Sequence, residues 1–376
     1  MILQRQIVLD TVKIERRMAK AISVVLLSFL LSTPMLKGDD LLTCPDIFYA
    51  WGVNHQSPCS GMNKYTVLDF ILYSIDLCPC NFPTINPDYI DPIVGDFYAV
   101  TAGTFIQGSD TDPCLGGTES PFTHTLTRDI LVMETEVTRQ MWADLMGVQP
   151  LPVDPTDLLA GSGMNHPVQS IQWPEALLFA NLLSAERALI PCYFIDASFL
   201  TVLNEANYLD GEYYCNFDAE GYRLPTEGES EYFIRAGTEG PFSIDEPDYH
   251  TGNCFDWITT PGTYPNLESV AWLATNINDP VGVNTTKPVG LLNPNPWNLR
   301  DVHGNVHEWC FDKSTGSSDY PAGPVTDYVG ETGTRRQARG GAWNASASKC
   351  RSASRRANDP LHRSGDKGFR LVMTIP

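Results

Sequence analysis

Glycine and proline interrupt almost every periodic run in this chain, and that punctuation limits what it can fold into more than any other feature. With 29 Gly and 28 Pro, few helical patterns run long, and the stretches between breakers are short and alternating. A helical bundle does not fit such a pattern. It predicts a loop-rich α+β architecture, low in regular secondary structure. The 376 residues can bury one large core or two small ones, and a 43% hydrophobic content is ordinary for a globular protein. A formal net charge of −20 repels phosphate backbones and anionic headgroups. Neither nucleic acid nor an anionic membrane surface is an expected partner.

Arg16, Arg17 and Lys20 precede the apolar run Ala21 to Leu31, followed by Ser32-Thr33-Pro34 and Gly38-Asp39-Asp40. This order of charge, apolar core and exit reads as a signal peptide over residues 1–38, started at Met1 or Met18. The run is too short to span a bilayer, so no membrane anchor is expected beyond the signal. The chain is expected to be exported, to a periplasmic, extracellular or cell-surface location. Ten cysteines behind such a leader fit an oxidising compartment and structural disulfides. Spacing does not fix connectivity, but Cys192 and Cys215 flank a polar excursion between two neighbouring elements and are the expected pair. A bridge there contributes on the order of 3 kcal/mol in the chain-entropy picture. Residues 39–95 read as a Cys-rich N-terminal extension; Cys78-Pro79-Cys80 is too tight for a zinc knuckle and has no second ligand pair nearby.

From about Phe97 the text becomes regular. Ala99 to Gly108 reads as a hairpin opened by Gly103, and Phe122 to Val132 as one further strand. Thr138 caps a helix that stops near Gly147, and Pro174 opens a second over Glu175 to Leu189, with Ala176, Phe179, Ala180 and Leu183 on one face. Thr226 and Glu229 form a capping box for a short helix ending at Gly237. A strand follows at Gly368 to Val372.

Six segments carry a resemblance: GTFIQGS (103–109), METEVTRQMWADLMG (133–147), HPVQSIQWPEALLFAN (166–181), GYRLPTEGESEYFIRAG (221–237), KPVGLLNPNPWNLRDVHGNVHEWC (287–310) and GGAWNASASKCRSASRRANDPLHRSGDKGFRLV (340–372). Their order and content resemble the formylglycine-generating enzyme (sulfatase-modifying factor) family, over a domain placed at 96–376. The resemblance implies that family's variant of the C-type-lectin-like fold. It also implies a chemistry in which two thiolates five residues apart hold one copper ion that activates O₂ against a substrate cysteine. Cys350 falls on the second thiolate, while Ala345 stands at the first, Ala342 at the family's serine and Ser346 at a frequent histidine. A soft monovalent ion held by two thiolates is not held as tightly by one. Lys349, Arg351, Arg355 and Arg356 nearby are expected to lower the Cys350 pKa if it acts as a ligand or nucleophile. The blander expectation is a structural disulfide, with Cys310 a candidate partner.

The resemblance further implies calcium. Asn305 and Glu308, with the backbone around Gly304 and Val306, fall on the family's second calcium loop, and Asn276 and Asp279 on its first. His303, His307 and Glu308 lack the spacing of a helical zinc site and read as a turn with incidental histidines. The family's tryptophan is replaced at Ser230 and at His307, and a disulfide of its well-studied branch by Ile234 and Leu371. The last 42 residues, from Arg335, hold ten Lys or Arg and two Asp or Glu. Most of these cations are expected to tie loops together, Arg223 and Arg370 foremost. The resulting expectation is an accessory domain binding a protein, peptide or glycan. The alternative is an active oxidase converting a sulfatase cysteine to formylglycine through Cys350.

Overall fold

The computed structural model of the protein describes residues 86–110, 119–148, 163–246, 249, 262–277, 285–316 and 320–376. The expected signal segment, the expected extension up to residue 85, and Cys44, Cys59, Cys78, Cys80, Cys114, Cys254 and Asp279 lie outside them. Strands β1 (Tyr89–Asp91), β2 (Gly95–Val100), β3 (Thr104–Gln107), β4 (Phe122–Thr125) and β5 (Ile130–Met133) lead into helices α1 (Arg139–Met146) and α2 (Trp173–Glu186). Short strands β6 (Tyr193–Phe194), β7 (Tyr214–Cys215) and β8 (Tyr222–Arg223) precede α3 (Glu227–Arg235) and β9 (Ala271–Trp272). The remainder is β10 (His303–Gly304), β11 (His307–Ser314), β12 (Val325–Thr326), β13 (Arg335–Arg339), β14 (Arg356–Asn358), β15 (Lys367–Gly368) and β16 (Val372–Thr374).

These strands form five small sheets. The five-stranded sheet runs β1-β2-β5-β16-β8 and a four-stranded one runs β14-β13-β11-β15. Because β1 pairs with β2 from Tyr89 onward, the body begins earlier than the expected residue 96. The expected Ala99–Gly108 hairpin does not form. β2 pairs with β5 while β3 pairs with β4, so the chain changes sheet at Gly103. The single strand expected over 122–132 is likewise two, β4 and β5, in different sheets. Alternation alone cannot say which sheet a short run joins, because sheet choice is a long-range contact.

The three α-helices among the described residues form where capping chemistry places them. Thr138 accepts from the Met141 amide, and α1 ends on left-handed Gly147. Thr226 and Glu229 exchange side-chain and backbone bonds, and α3 ends on left-handed Ala236. In α2, Ala176, Phe179, Ala180 and Leu183 are all fully buried. Trp142 of α1 stacks on Phe179, and both rings meet Phe369 edge-on, which packs the two helices onto the C-terminal block. Ile234 and Leu371 are buried in the apolar core.

Fully buried glutamates set α3 apart: each is taken by arginine. Glu229 binds Arg223 through both oxygens at 2.7 and 2.8 Å. Glu231 pairs with Arg235 at 2.7 Å and Arg339 at 2.9 Å, and Glu227 with Arg339 at 2.9 Å and Arg355 at 2.6 Å. Arg339 and Arg355 of the basic C-terminal block, with Arg223 and Arg235, thus neutralise an acidic helix in the interior through charge-assisted bonds. Among the described residues no helix is long and apolar enough to cross a membrane.

Candidate functional site

Two left-handed glycines, Gly340 (φ 89°) and Gly341 (φ 82°), turn the chain after β13. A Cβ on Gly341 would sit 2.5 Å from the Cys350 sulfur, so only glycine lets the turn close over that residue. Ala345 donates its amide to Ala342 O at 2.9 Å, the 3-10 turn Ala347–Lys349 follows, and Cys350 donates its own amide to Ala347 O at 2.9 Å. Cys350 then lies in an apolar cluster with Phe242, Tyr249, Tyr264, Leu267, Ala345 and Ala347.

Electrostatics at this sulfur run against the expected activation. Burial pushes the Cys350 thiol up to about 12, opposed only by a bond from the Ala342 backbone. The basic residues flanking it in sequence point elsewhere: Arg351 binds Glu119 at 2.9 Å, Arg355 binds Glu227 and Arg356 binds Asp366. Sequence adjacency suggested positive potential because it cannot show which way a guanidinium turns. Cys310 and Cys350 are both free thiols, so the bond suggested between them is not made. Cys310 lies among Asp312, Glu227, Arg339 and Ser230.

Cys192 and Cys215 are brought together. They sit on the paired strand ends of β6 and β7, where Cys215 is opposite Tyr193 and the Asn216 amide donates to Cys192 O at 2.8 Å. Both are thiols in this structure.

His303 lies beside the cysteine turn. Its Nδ1 faces Cys350 O at 2.8 Å and its Nε2 accepts from the Ser243 amide at 3.1 Å. A carbonyl only accepts and this amide only donates, so the ring is neutral with its proton on Nδ1. Burial holds its pKa down to about 4, and neither nitrogen is left for a metal. His307, buried on β11, has an unpartnered Nδ1, and burial followed by the nearby Arg356 charge pushes it down to about 3. A histidine whose folded pKa lies below its unfolded value binds fewer protons when folded. Its stabilisation is therefore present above the ordinary value of 6.5 and is lost as pH falls towards 3. Between pH 7.5 and 5 this site alone is expected to cost about 2 kcal/mol. Urea unfolding of His307→Phe at the two pH values should show the pH-dependent loss smaller by that amount; an unchanged loss would assign the acid sensitivity elsewhere.

The residues implied for calcium are dispersed. Asn276 spends its amide on the Leu273 N–H and on the carbonyls of Glu268 and Ala271. Asn305 likewise binds the Lys287 backbone. Glu308 is clamped by Arg370 at 2.8 to 3.2 Å. Three carboxylates surround that one arginine, however, because Glu136 and Asp301 act on it as well. Both Glu136 oxygens and Asp301 Oδ1 are buried without a partner. Asp301 Oδ2 accepts from the Gly290 amide at 2.6 Å, and burial raises its carboxyl to about 6. Glu136 is raised well above the usual range by burial and by Asp301. Glu136 and Asp301 were not singled out in the sequence; the one local hint was an acidic residue three positions before Gly304-Asn305. Among the described residues no three Asp, Glu, His or Cys side chains converge as a complete metal cage, so backbone carbonyls must supply the remaining donors of any ion bound there.

The family profile described as "Sulfatase-modifying factor enzyme 1-like domain" matches residues 89–375. The chaperone protein LppX of Paenibacillus barcinonensis is 28% identical over 247 residues, 65% of this chain and 80% of that protein. A formylglycine-generating enzyme of Thermomonospora curvata is 32% identical over 167 residues. That match covers 40% of this chain and 49% of that enzyme, so the chain spans about half the length of this relative. Among solved structures, Treponema denticola variable protein 1 superposes with a TM-score of 0.59 at 27% identity, covering 74% of this chain and 95% of that one. PvdO from Pseudomonas aeruginosa superposes with a TM-score of 0.55 at 20% identity, covering 77% and 99%, a likeness of fold. With the profile running from β1 through β16, the chain belongs to the sulfatase-modifying factor family and has the fold of the formylglycine-generating enzymes.

Proposed function

We propose that the chain is an exported, non-catalytic member of its family that binds a protein, peptide or glycan partner and lacks formylglycine-generating activity. One observation carries this reading: where copper chemistry needs two thiolates, Ala345 has no sulfur and Cys350 is a buried thiol pushed up to about 12. The residues present do not fit a copper ion. The relative named as a chaperone is consistent with an accessory role. Export rests on the charged leader, and in an oxidising compartment Cys192 and Cys215 would close the bridge between β6 and β7. Titration with Cu(I) should give no tight one-to-one complex, and a Cys-x-Pro-x-Arg peptide supplied with copper and O₂ should keep its mass. Turnover abolished by Cys350→Ala would sink the proposal in favour of an oxidase.

Calcium belongs to the same reading, with Glu136 and Asp301 as further candidate ligands. Three carboxylates around one buried arginine leave a formal charge of −2, which a proton or a hard cation must offset. Orphaned oxygens on Glu136 and Asp301 would hold such an ion together with backbone carbonyls, Glu308 being spent on Arg370. At a calcium concentration a hundredfold above Kd the fold should gain about 2.7 kcal/mol, read as a higher Tm than in chelator. Asp301→Asn should abolish the difference. Equal melting with and without calcium at pH 7.5 would instead leave protons as the neutralising charge.

A further inference from the structure

The excursion between β6 and β7 ends in a projection that the catalytic question does not touch. Phe199 adopts φ 55°, a left-handed conformation in which a bulky side chain is strained. Its ring is 40% exposed and leans on the buried Phe194, with centroids 5.2 Å apart. Leu200 follows at 83% exposure and Val202 at 38%. This exposure does not come from a frayed loop. Asp196 Oδ1 accepts from the Ser198 and Leu200 amides, its Oδ2 accepts from the Thr201 amide at 2.6 Å, and the Ile195 amide donates to Thr201 O at 3.0 Å. Phe194 and Val202 form a β-bridge at the base. The turn is tied shut with its largest apolar groups facing out and one of them strained.

Charge along this excursion has a single sign. Between Ala188 and Tyr222 the sequence holds six Asp or Glu and no Lys or Arg, and Glu205, Asp210 and Glu212 are exposed. An apolar tip on so acidic an excursion is disfavoured against anionic lipid and nucleic acid. A second copy of a chain with net charge −20 would bring the same sign to the contact.

We infer that the Phe199-Leu200-Val202 projection is a docking surface for a cationic amphipathic segment of another polypeptide, whose apolar face covers Phe199 and Leu200 while its Lys and Arg meet the exposed carboxylates of the same excursion. This surface is independent of the sulfur count at 345 and 350 and stands whether or not the chain is catalytic. Apolar contact supplies affinity, and the carboxylates supply steering and sign selection.

The probe is a fluorescent amphipathic peptide of Leu and Lys, titrated by anisotropy against the full chain. A peptide with Glu in place of Lys is the control. Leu200→Ser removes an exposed side chain and should leave melting unchanged. Phe199→Gly relieves the left-handed strain and should leave melting unchanged or raised. Each is expected to weaken the Lys peptide roughly tenfold or more, and raising salt to about 0.5 M should weaken it further. Equal binding by both variants, binding of the Glu peptide, or wild-type self-association that Leu200→Ser abolishes would each overturn the assignment.

Discussion

Arg370→Met is expected to destabilise the domain by about 4 kcal/mol, the size found when one partner of a buried ion pair is removed. Arg370 is fully buried. It binds Glu308 through two nitrogens and donates to the carbonyls of Met133, Glu134 and Arg300. It therefore fastens the end of β5, the loop before β10 and the start of β11 to one side chain. Methionine keeps much of the length but takes a donor from three carbonyls, of which Glu134 O still accepts from the Arg300 amide, and removes the guanidinium that three carboxylates share, leaving Arg300 as the positive charge beside Asp301. The sign of the pH dependence separates this from a packing defect. Asp301 and Glu136 have folded pKa values raised above their unfolded ones, so they bind protons more readily when folded, and stability falls as pH rises through that window. Without Arg370 the carboxylates are raised further, so the deficit of the variant should be larger at pH 8 than at pH 5. Denaturant unfolding at both pH values checks it. An equal deficit at the two would assign the loss to packing alone.

Ala345→Cys should create the copper affinity that the native chain is proposed to lack. Ala345 is 8% exposed and belongs to the same buried cluster as Cys350. The Gly340-Gly341 turn that closes over the cysteine is intact. A second thiolate in this cluster turns a single soft donor into a pair, and Cu(I) binding should tighten on the order of a thousandfold, about 4 kcal/mol. Competition against a chromophoric Cu(I) chelator reads the change. Ala345→Ser, of nearly the same size but without the soft atom, should bind no better than the native chain. If Ala345→Cys binds no more copper than Ala345→Ser, the pocket has lost more than one sulfur.

Where local chemistry decides structure, the sequence was legible. Thr138, Thr226 with Glu229, and the glycine after α1 each act within a few residues, and all stand where the pattern placed them. Arg223 and Arg370 were expected as internal ties and are found clasping Glu229 and Glu308. Legibility ended with the partner of each group. Lys349, Arg351, Arg355 and Arg356 read as a positive setting for Cys350, yet the last three turn to Glu119, Glu227 and Asp366. Asn276 and Asn305 read as calcium ligands, whereas their amides hold backbone turns and the orphaned oxygens belong to Glu136 and Asp301.

The sequence by itself determined the family, the loop-rich α+β fold, the helix caps and the absence of a sulfur at 345, because each is written in residue identity and short-range order. Only the tertiary structure decided that Cys350 is wrapped in apolar side chains, that Glu308 is clamped by Arg370, and that Glu136 meets Asp301 in the interior. Burial and ion pairing set these, and both are properties of residues far apart in the chain.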